Sequence, residues 1–269
     1  MAIDLTEPGD CRPRSRLSRT ASYFTAVGVA SFVIYLFVCA AAYYEQGHLI
    51  YLTPLTSKVS PGFSIQVPGA LLKISHSPMV SPKALIVFGG NGEDASRSLA
   101  AYAQAFPERA VFVMNYRGYG ESTGTPAEKD LNADALVLFD RVVASHPEVL
   151  VIGRSLGSGV AVRLAAARPV SRLVLVTPYD SLLEVASRVM PGLPVSLLLK
   201  DKWESITYAP TVSAPTTILV ADDDMVILPE RSEALLKAFK PGVATMVRFP
   251  GRDQINLSSD PKYVEAMGW

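Results

Sequence analysis

The sequence predicts a doubly wound α/β domain behind one N-terminal membrane-spanning helix. Short, nearly continuous apolar runs alternate with amphipathic stretches, as in a parallel sheet covered by helices on both faces. No charged residue occurs between Arg19 and Glu45. A serine sits where one apolar run ends and a small-residue helix begins.

The N-terminal run, residues 21–44, is long enough to cross a hydrocarbon core of about 30 Å as a helix. Arg12, Arg14, Arg16 and Arg19 precede it, while only Glu45 and then Lys58 carry charge just after it. The positive-inside rule places residues 1–20 in the cytoplasm and the rest across the membrane, periplasmic in a Gram-negative cell. Tyr43, Tyr44 and Tyr51 suit the far interface. A cleaved signal peptide would have an apolar region of about 7–15 residues, shorter than this one. Phe37 and Val38 are too large to precede a lipoprotein cysteine at Cys39. The expected organisation is a tail (1–20), a signal anchor (21–44), a linker (45–61) and one domain (62–269).

Within the domain, residues 71–74 and 84–88 read as strands, with the turn-rich 76–82 between them. Residues 94–105 read as a helix and 111–115 as a strand. The helix at 128–145 places Leu131, Ala135, Leu138 and Val142 on one face. A strand at 149–152 leads into a helix at 157–168. Further strands fall at 173–176, 216–221 and 245–249, and further helices at 230–239 and 261–267. The Pro- and Ser-rich stretch 179–215 interrupts the alternation and is expected to lie as a small lid over the strand ends, where such sheets bind ligands. Lys200, Asp201 and Trp203 within it read as a solvated turn.

Composition narrows the function. Of 269 residues, 49% are hydrophobic, and 25 basic residues balance 25 acidic ones, which excludes a disordered polyelectrolyte. No basic surplus is available for nucleic-acid phosphates. The two cysteines, Cys11 and Cys39, allow no disulfide framework. The adjacent Asp222, Asp223 and Asp224 do not form a metal site, because neighbouring residues rarely converge on one ion. No cofactor is expected.

Gly153-Arg154-Ser155-Leu156-Gly157 fits G-x-S-x-G between a strand and a helix. A sharp turn there pushes the serine oxygen out above the sheet, and the Leu156 N–H at the helix start faces a developing oxyanion. The turn Gly89-Gly90-Asn91-Gly92 follows another strand and is expected to offer the Asn91 backbone N–H as a second donor. The same turn matches a dinucleotide G-x-G-x-x-A at Gly90, Gly92 and Ala95. That reading wants an acidic residue ending the next strand, where Asn115 stands instead, and it leaves the serine turn unexplained.

These motifs, with Asn115-Tyr116-Arg117-Gly118-Tyr119-Gly120-Glu121-Ser122 and Thr177-Pro178-Tyr179-Asp180-Ser181, resemble the α/β-hydrolase superfamily. The likeness is to its branch of membrane-tethered serine hydrolases, which includes protein depalmitoylases. The resemblance implies an eight-stranded, mostly parallel sheet and hydrolysis of acyl esters or thioesters near a membrane.

A serine nucleophile needs a base, and the base an orienting carboxylate. The family pattern places the acid at Asp224, ahead of Val226-Ile227 and Ser232; Asp222 and Asp223 read as solvated. The histidine slot in Gly251-Arg252-Asp253-Gln254-Ile255-Asn256-Leu257-Ser258 holds Gln254. An amide takes up no proton near neutral pH. The three histidines lie elsewhere: His146 and His76 belong at the opposite end of the sheet and His48 in the linker. The sequence therefore predicts a membrane-anchored hydrolase with low or abolished turnover. The alternative is an inactive binding or regulatory protein that keeps the pocket.

Overall fold

The computed structural model describes residues 16–54 and 61–267, with the side chains of the first helix from Ser22 onward. Arg12, Arg14, Cys11 and Lys58 lie outside the described residues. Two compact units divide the chain, Met1–Tyr44 and Glu45–Trp269.

Most of helix α1 (Arg16–Ile50) belongs to the first unit. Its stretch Ser22–Ile50 reaches a mean hydropathy of 2.2, and Phe24, Phe32, Ile34 and Phe37 are exposed along it. Length and composition fit a single-pass anchor or a signal sequence.

The second unit is built on eight strands: β1 (Gly62–Val67), β2 (Ala70–His76), β3 (Lys83–Phe88), β4 (Ala110–Asn115), β5 (Glu148–Arg154), β6 (Arg172–Val176), β7 (Thr216–Ala221) and β8 (Ala244–Phe249). They order as β1-β2-β4-β3-β5-β6-β7-β8. β2 pairs antiparallel with β1 and β4, and the other pairs are parallel. The apolar runs are continuous because the central strands are buried on both faces: every residue of β4 and of β7 is buried.

Two apolar clusters mark the two faces. Ala84, Ile86 and Phe88 pack with Leu131, Leu138 and Val142 of α3 (Glu128–Val143), with α4 (Leu156–Ala167) and with Leu235 of α8 (Pro229–Ala238). Leu85 and Val87 pack on the other face with Leu99 of α2 (Leu99–Ala105) and Tyr263 of α9 (Tyr263–Ala266). The alternation of Cβ directions along each strand separates the two sets.

The sequence did not announce β1. Its alternating Phe63, Ile65 and Val67 form an edge strand, joined to β2 by Pro68-Gly69 with Gly69 at φ +76°. Residues 45–54, expected as linker, instead continue α1 to Ile50 and then bond into the domain. Tyr51, expected at a membrane interface, is 3% exposed; its hydroxyl donates to Asp201 Oδ2 (2.6 Å) and accepts from Trp203 Nε1 (3.1 Å). Asp201 and Trp203 therefore do not form a solvated turn, and Trp203 is 2% exposed. A buried indole and phenol need partners for their polar ends, and each supplies the other's.

A buried ion pair fixes the loop after β4. Arg117 donates to both Asp134 oxygens of α3 (2.8 and 2.7 Å), and both residues are buried. Asp130 stands farther off, 3.4 Å from Arg117, and is partly exposed, so removing Asp134 leaves the buried guanidinium without its close partner. Asp134→Ala is expected to lower stability by about 3–5 kcal/mol, measured by urea unfolding of the full chain in detergent micelles; a loss below ~1 kcal/mol would mean that the pair behaves as a surface pair.

Candidate active site

Ser155 stands between β5 and α4 with φ +48° and ψ −116°. A non-glycine residue rarely occupies that region, and it persists only where its surroundings enforce it. The surroundings are close. A Cβ on Gly153 would stand 2.4 Å from the Gly157 carbonyl oxygen and 2.6 Å from the Ala161 Cβ. A Cβ on Gly157 would stand 2.3 Å from the Phe88 carbonyl oxygen. Both glycines of the motif are thus sterically required. The Ser155 N–H donates to the Val176 carbonyl (2.9 Å), and the Ser158 hydroxyl donates to the Ser155 carbonyl (2.6 Å).

The turn after β3 lies against the serine. A Cβ on Gly90 would be 3.6 Å from the Ser155 Cβ. Asn91 is held by its side chain, whose Oδ1 accepts from the Leu52 N–H (2.9 Å) and the Tyr119 hydroxyl (2.7 Å). The backbone N–H groups of Asn91 and Leu156 meet no protein acceptor among the described residues. Tyr116, after β4, braces the same turn by donating to the Gly89 carbonyl (2.9 Å).

Asp224 follows β7 and is 2% exposed. Its Oδ1 accepts from the N–H groups of Val226 (2.8 Å) and Ile227 (2.9 Å), while Oδ2 has no partner. Asp222 instead pairs with Arg248 (2.7 Å) and Asp223 is exposed. Gln254 follows β8; its carbonyl accepts from Arg154 Nη2 (2.7 Å), and its Oε1 is likewise unpartnered. Two buried acceptors without donors therefore occur in the two loops where a charge-relay acid and base are expected.

His76 and His146 offer no substitute. The rings of His76 and His146 both pack on Phe112, with centroids 6.1 and 5.3 Å from it, and His146 Nδ1 lies 2.6 Å from the carbonyl of Ser81, before β3. That is the end of the parallel strands opposite Ser155.

Several residues at the site went unread in the sequence. Glu93 Oε2 accepts from the Gly90 N–H (2.7 Å) and from Arg154 Nη1 (2.9 Å), so Arg154 joins the turn after β3 to the Gln254 loop. Thr177, at the end of β6, has φ +45°, is 2% exposed and leaves Oγ1 unpartnered. For a β-branched residue that backbone is a genuine outlier. Glu93 and Arg154 do lie inside the quoted motifs, but nothing in their spacing shows that they meet.

Burial raises the Asp224 carboxyl above its ordinary range; Asp253 adds to this, while the Ile227 and Val226 N–H groups and Arg154 pull it back. An acid raised in the folded state favours folding most at low pH, below the unfolded value near 3.8, and that contribution is lost as pH rises through the folded value. Asp224→Asn keeps an acceptor for the two N–H groups and removes the charge. It is expected to raise Tm at pH 7 by about 2–4 °C, what ~1 kcal/mol is worth in a domain of this size. The gain should shrink toward pH 4; a loss of Tm at pH 7 would contradict an unpaired carboxylate.

The sequence pattern of the family described as serine aminopeptidase, S33 matches residues 81–205, a span that holds Ser155 but neither Asp224 nor Gln254. The Mycobacterium tuberculosis protein Rv2307c is 36% identical over 168 residues, 61% of this chain and 60% of its own length. Lysophosphatidylserine lipase ABHD12 of Mus musculus is 33% identical over 137 residues, 44% of this chain and 34% of its own. The chain thus spans well under two thirds of both relatives. The esterase Pf2001 of Pyrococcus furiosus superposes with a TM-score of 0.63 at 16% identity, covering 81% of this chain and 97% of that one, which bears on fold alone. With the sheet order and the serine turn already in place, these likenesses point one way: the chain has the α/β-hydrolase fold and is similar in sequence to α/β-hydrolase-domain proteins.

Proposed function

We propose that the protein is a membrane-anchored serine hydrolase scaffold for acyl esters or thioesters, with its general base replaced. The strained conformation of Ser155, enforced by two glycines with no room for a side chain, carries this reading. Such strain clusters at functional sites. The name of one relative, a lysophosphatidylserine lipase, favours an acyl ester of lipid character.

In this reading Ser155 Oγ attacks the acyl carbon, and the carbonyl oxygen, as it becomes an oxyanion, takes hydrogen bonds from the Asn91 and Leu156 N–H groups. The serine proton must leave as the new bond forms. Gln254 can hold a hydroxyl by its amide but cannot accept that proton. Asp224, which would orient a histidine, has nothing to orient. Loss of one member of such a triad costs about 10⁴–10⁶ in turnover.

A second reading, an inactive binding or regulatory protein, draws on a separate observation. Arg154 bridges Glu93 to the Gln254 carbonyl, so the altered loop is fastened to the site rather than loosened from it.

Hydrolysis of p-nitrophenyl esters by the full chain in detergent separates the two. Gln254→His is expected to raise the rate by about 10²-fold or more, and Ser155→Ala in that background to abolish the gain. No gain, together with no fluorophosphonate labelling of Ser155 in Gln254→His, would leave the binding reading. The anchor is tested by alkaline carbonate washing of membranes. The full chain is expected in the pellet at its full length; release into the wash, or a shortened chain, would identify residues 21–44 as a cleaved signal instead.

A further inference from the structure

One group of exposed apolar residues in the second unit lies in the stretch after α4 and β6. Between Arg188 and Lys200 eleven residues, 189–199, carry no charge. They leave α5 (Leu182–Val189) and include α6 (Val195–Leu198). Val189 is 64% exposed and Leu197 80%. Past β7, Met225 and Val226 are exposed too, and Arg188 Nη1 donates to the Met225 carbonyl (3.1 Å), which fastens the two groups together. Single exposed apolar residues are ordinary, whereas a cluster of them marks a surface with a partner.

Gln46 indicates which partner. Its Nε2 donates to the Leu198 carbonyl (3.1 Å), and its Oε1 accepts from the Lys200 N–H (2.7 Å). Gln46 follows the charge-free run 21–44 by two residues. Two residues of chain span at most about 7 Å. The Tyr51 hydroxyl, bonded to Asp201 and Trp203, removes further slack on the other side. The apolar stretch is therefore tied next to the point where the proposed anchor ends. Arg188 and Lys200 bracket it, the placement that long cationic side chains take beside a lipid interface. A cavity of about 460 Å³ opens beside Arg188 and Val226, and its lining is mixed, with Val185 and Leu228 beside the charged Glu184, Glu230 and Arg231.

We propose that the 189–199 stretch, with Met225 and Val226, rests in the interfacial layer of the bilayer that the N-terminal helix spans. This rests on the anchored reading above.

The full chain, with Cys11→Ser and Cys39→Ser, is reconstituted in phosphatidylcholine–phosphatidylglycerol vesicles. An environment-sensitive NBD label is placed at Leu197→Cys, at Val189→Cys or, as a distant control, at Val80→Cys, a residue 95% exposed in the turn before β3. All three positions are exposed, so the fold tolerates the change. Emission at 197 and 189 is expected to shift to the blue and to be quenched about twofold by doxyl-labelled lipid, with no quenching at 80. Carbonate washing of the same vesicles reads the anchor separately. Retention in the pellet with no quenching at 197 and 189 overturns this proposal while the anchor stands. Release by carbonate overturns the anchor and this proposal with it. A blue shift without doxyl quenching means that a second copy covers the patch, which also overturns it.

Discussion

Everything at the site depends on how closely the first turn of α4 approaches the ends of β3 and β5. A methyl group at Gly157 would fall within 2.3 Å of the Phe88 carbonyl oxygen, and one at Gly153 would meet Gly157 itself. That contact forces the chain at Ser155 into a backbone region it would otherwise avoid. It also sets the start of α4 beside the turn after β3, so that the Leu156 N–H and the Asn91 turn share one region. The strain is sustained by the sheet beneath, where β5 lies between β3 and β6 with its residues Val149–Gly153 buried.

Around this elbow the polar groups are unevenly satisfied. On the β3–β4 side the turn is braced by Tyr116 on Gly89, Tyr119 and Leu52 on Asn91, and Glu93 on Gly90 and Arg154, while Asn115 Oδ1 at the end of β4 has no partner. On the β6–β8 side Thr177 Oγ1, Asp224 Oδ2 and Gln254 Oε1 have none. A buried acceptor without a donor costs about 1–3 kcal/mol. Two of these, Asp224 Oδ2 and Gln254 Oε1, lie in the loops where the proposed acid and base are expected. The oxyanion side needs no histidine for its own hydrogen bonds, so it stays in order without one.

The junction after α1 is equally organised. Gln46, Tyr51 and Leu52 bond in turn to the lid, to the buried Asp201–Trp203 pair and to Asn91. Residues that closely follow the charge-free run in sequence are also those that bond to the 198–203 stretch and the turn after β3. Any force on this segment reaches the site through three hydrogen-bonded contacts rather than through a slack tether.

Apolar runs, the G-x-S-x-G turn and the charge-free N-terminal stretch made the α/β layering, seven of the eight strands and the candidate residues Ser155, Asp224, Gln254, Asn91 and Leu156 legible in the sequence. These are local signals, because burial on two faces and a glycine-flanked turn each constrain residue types over only a few positions. The edge strand β1 stayed hidden, as half of its residues face water and its pattern is short. Only the tertiary structure decided that Glu93, Arg154 and Gln254 form one chain of contacts, that Thr177 is strained, and that Tyr51 and Trp203 are buried partners. The bonded pairs among these join residues tens of positions apart, up to 152 for Tyr51 and Trp203. Pairing at such separations is chosen by the packing of the whole sheet and its lid, which no local pattern of side chains encodes.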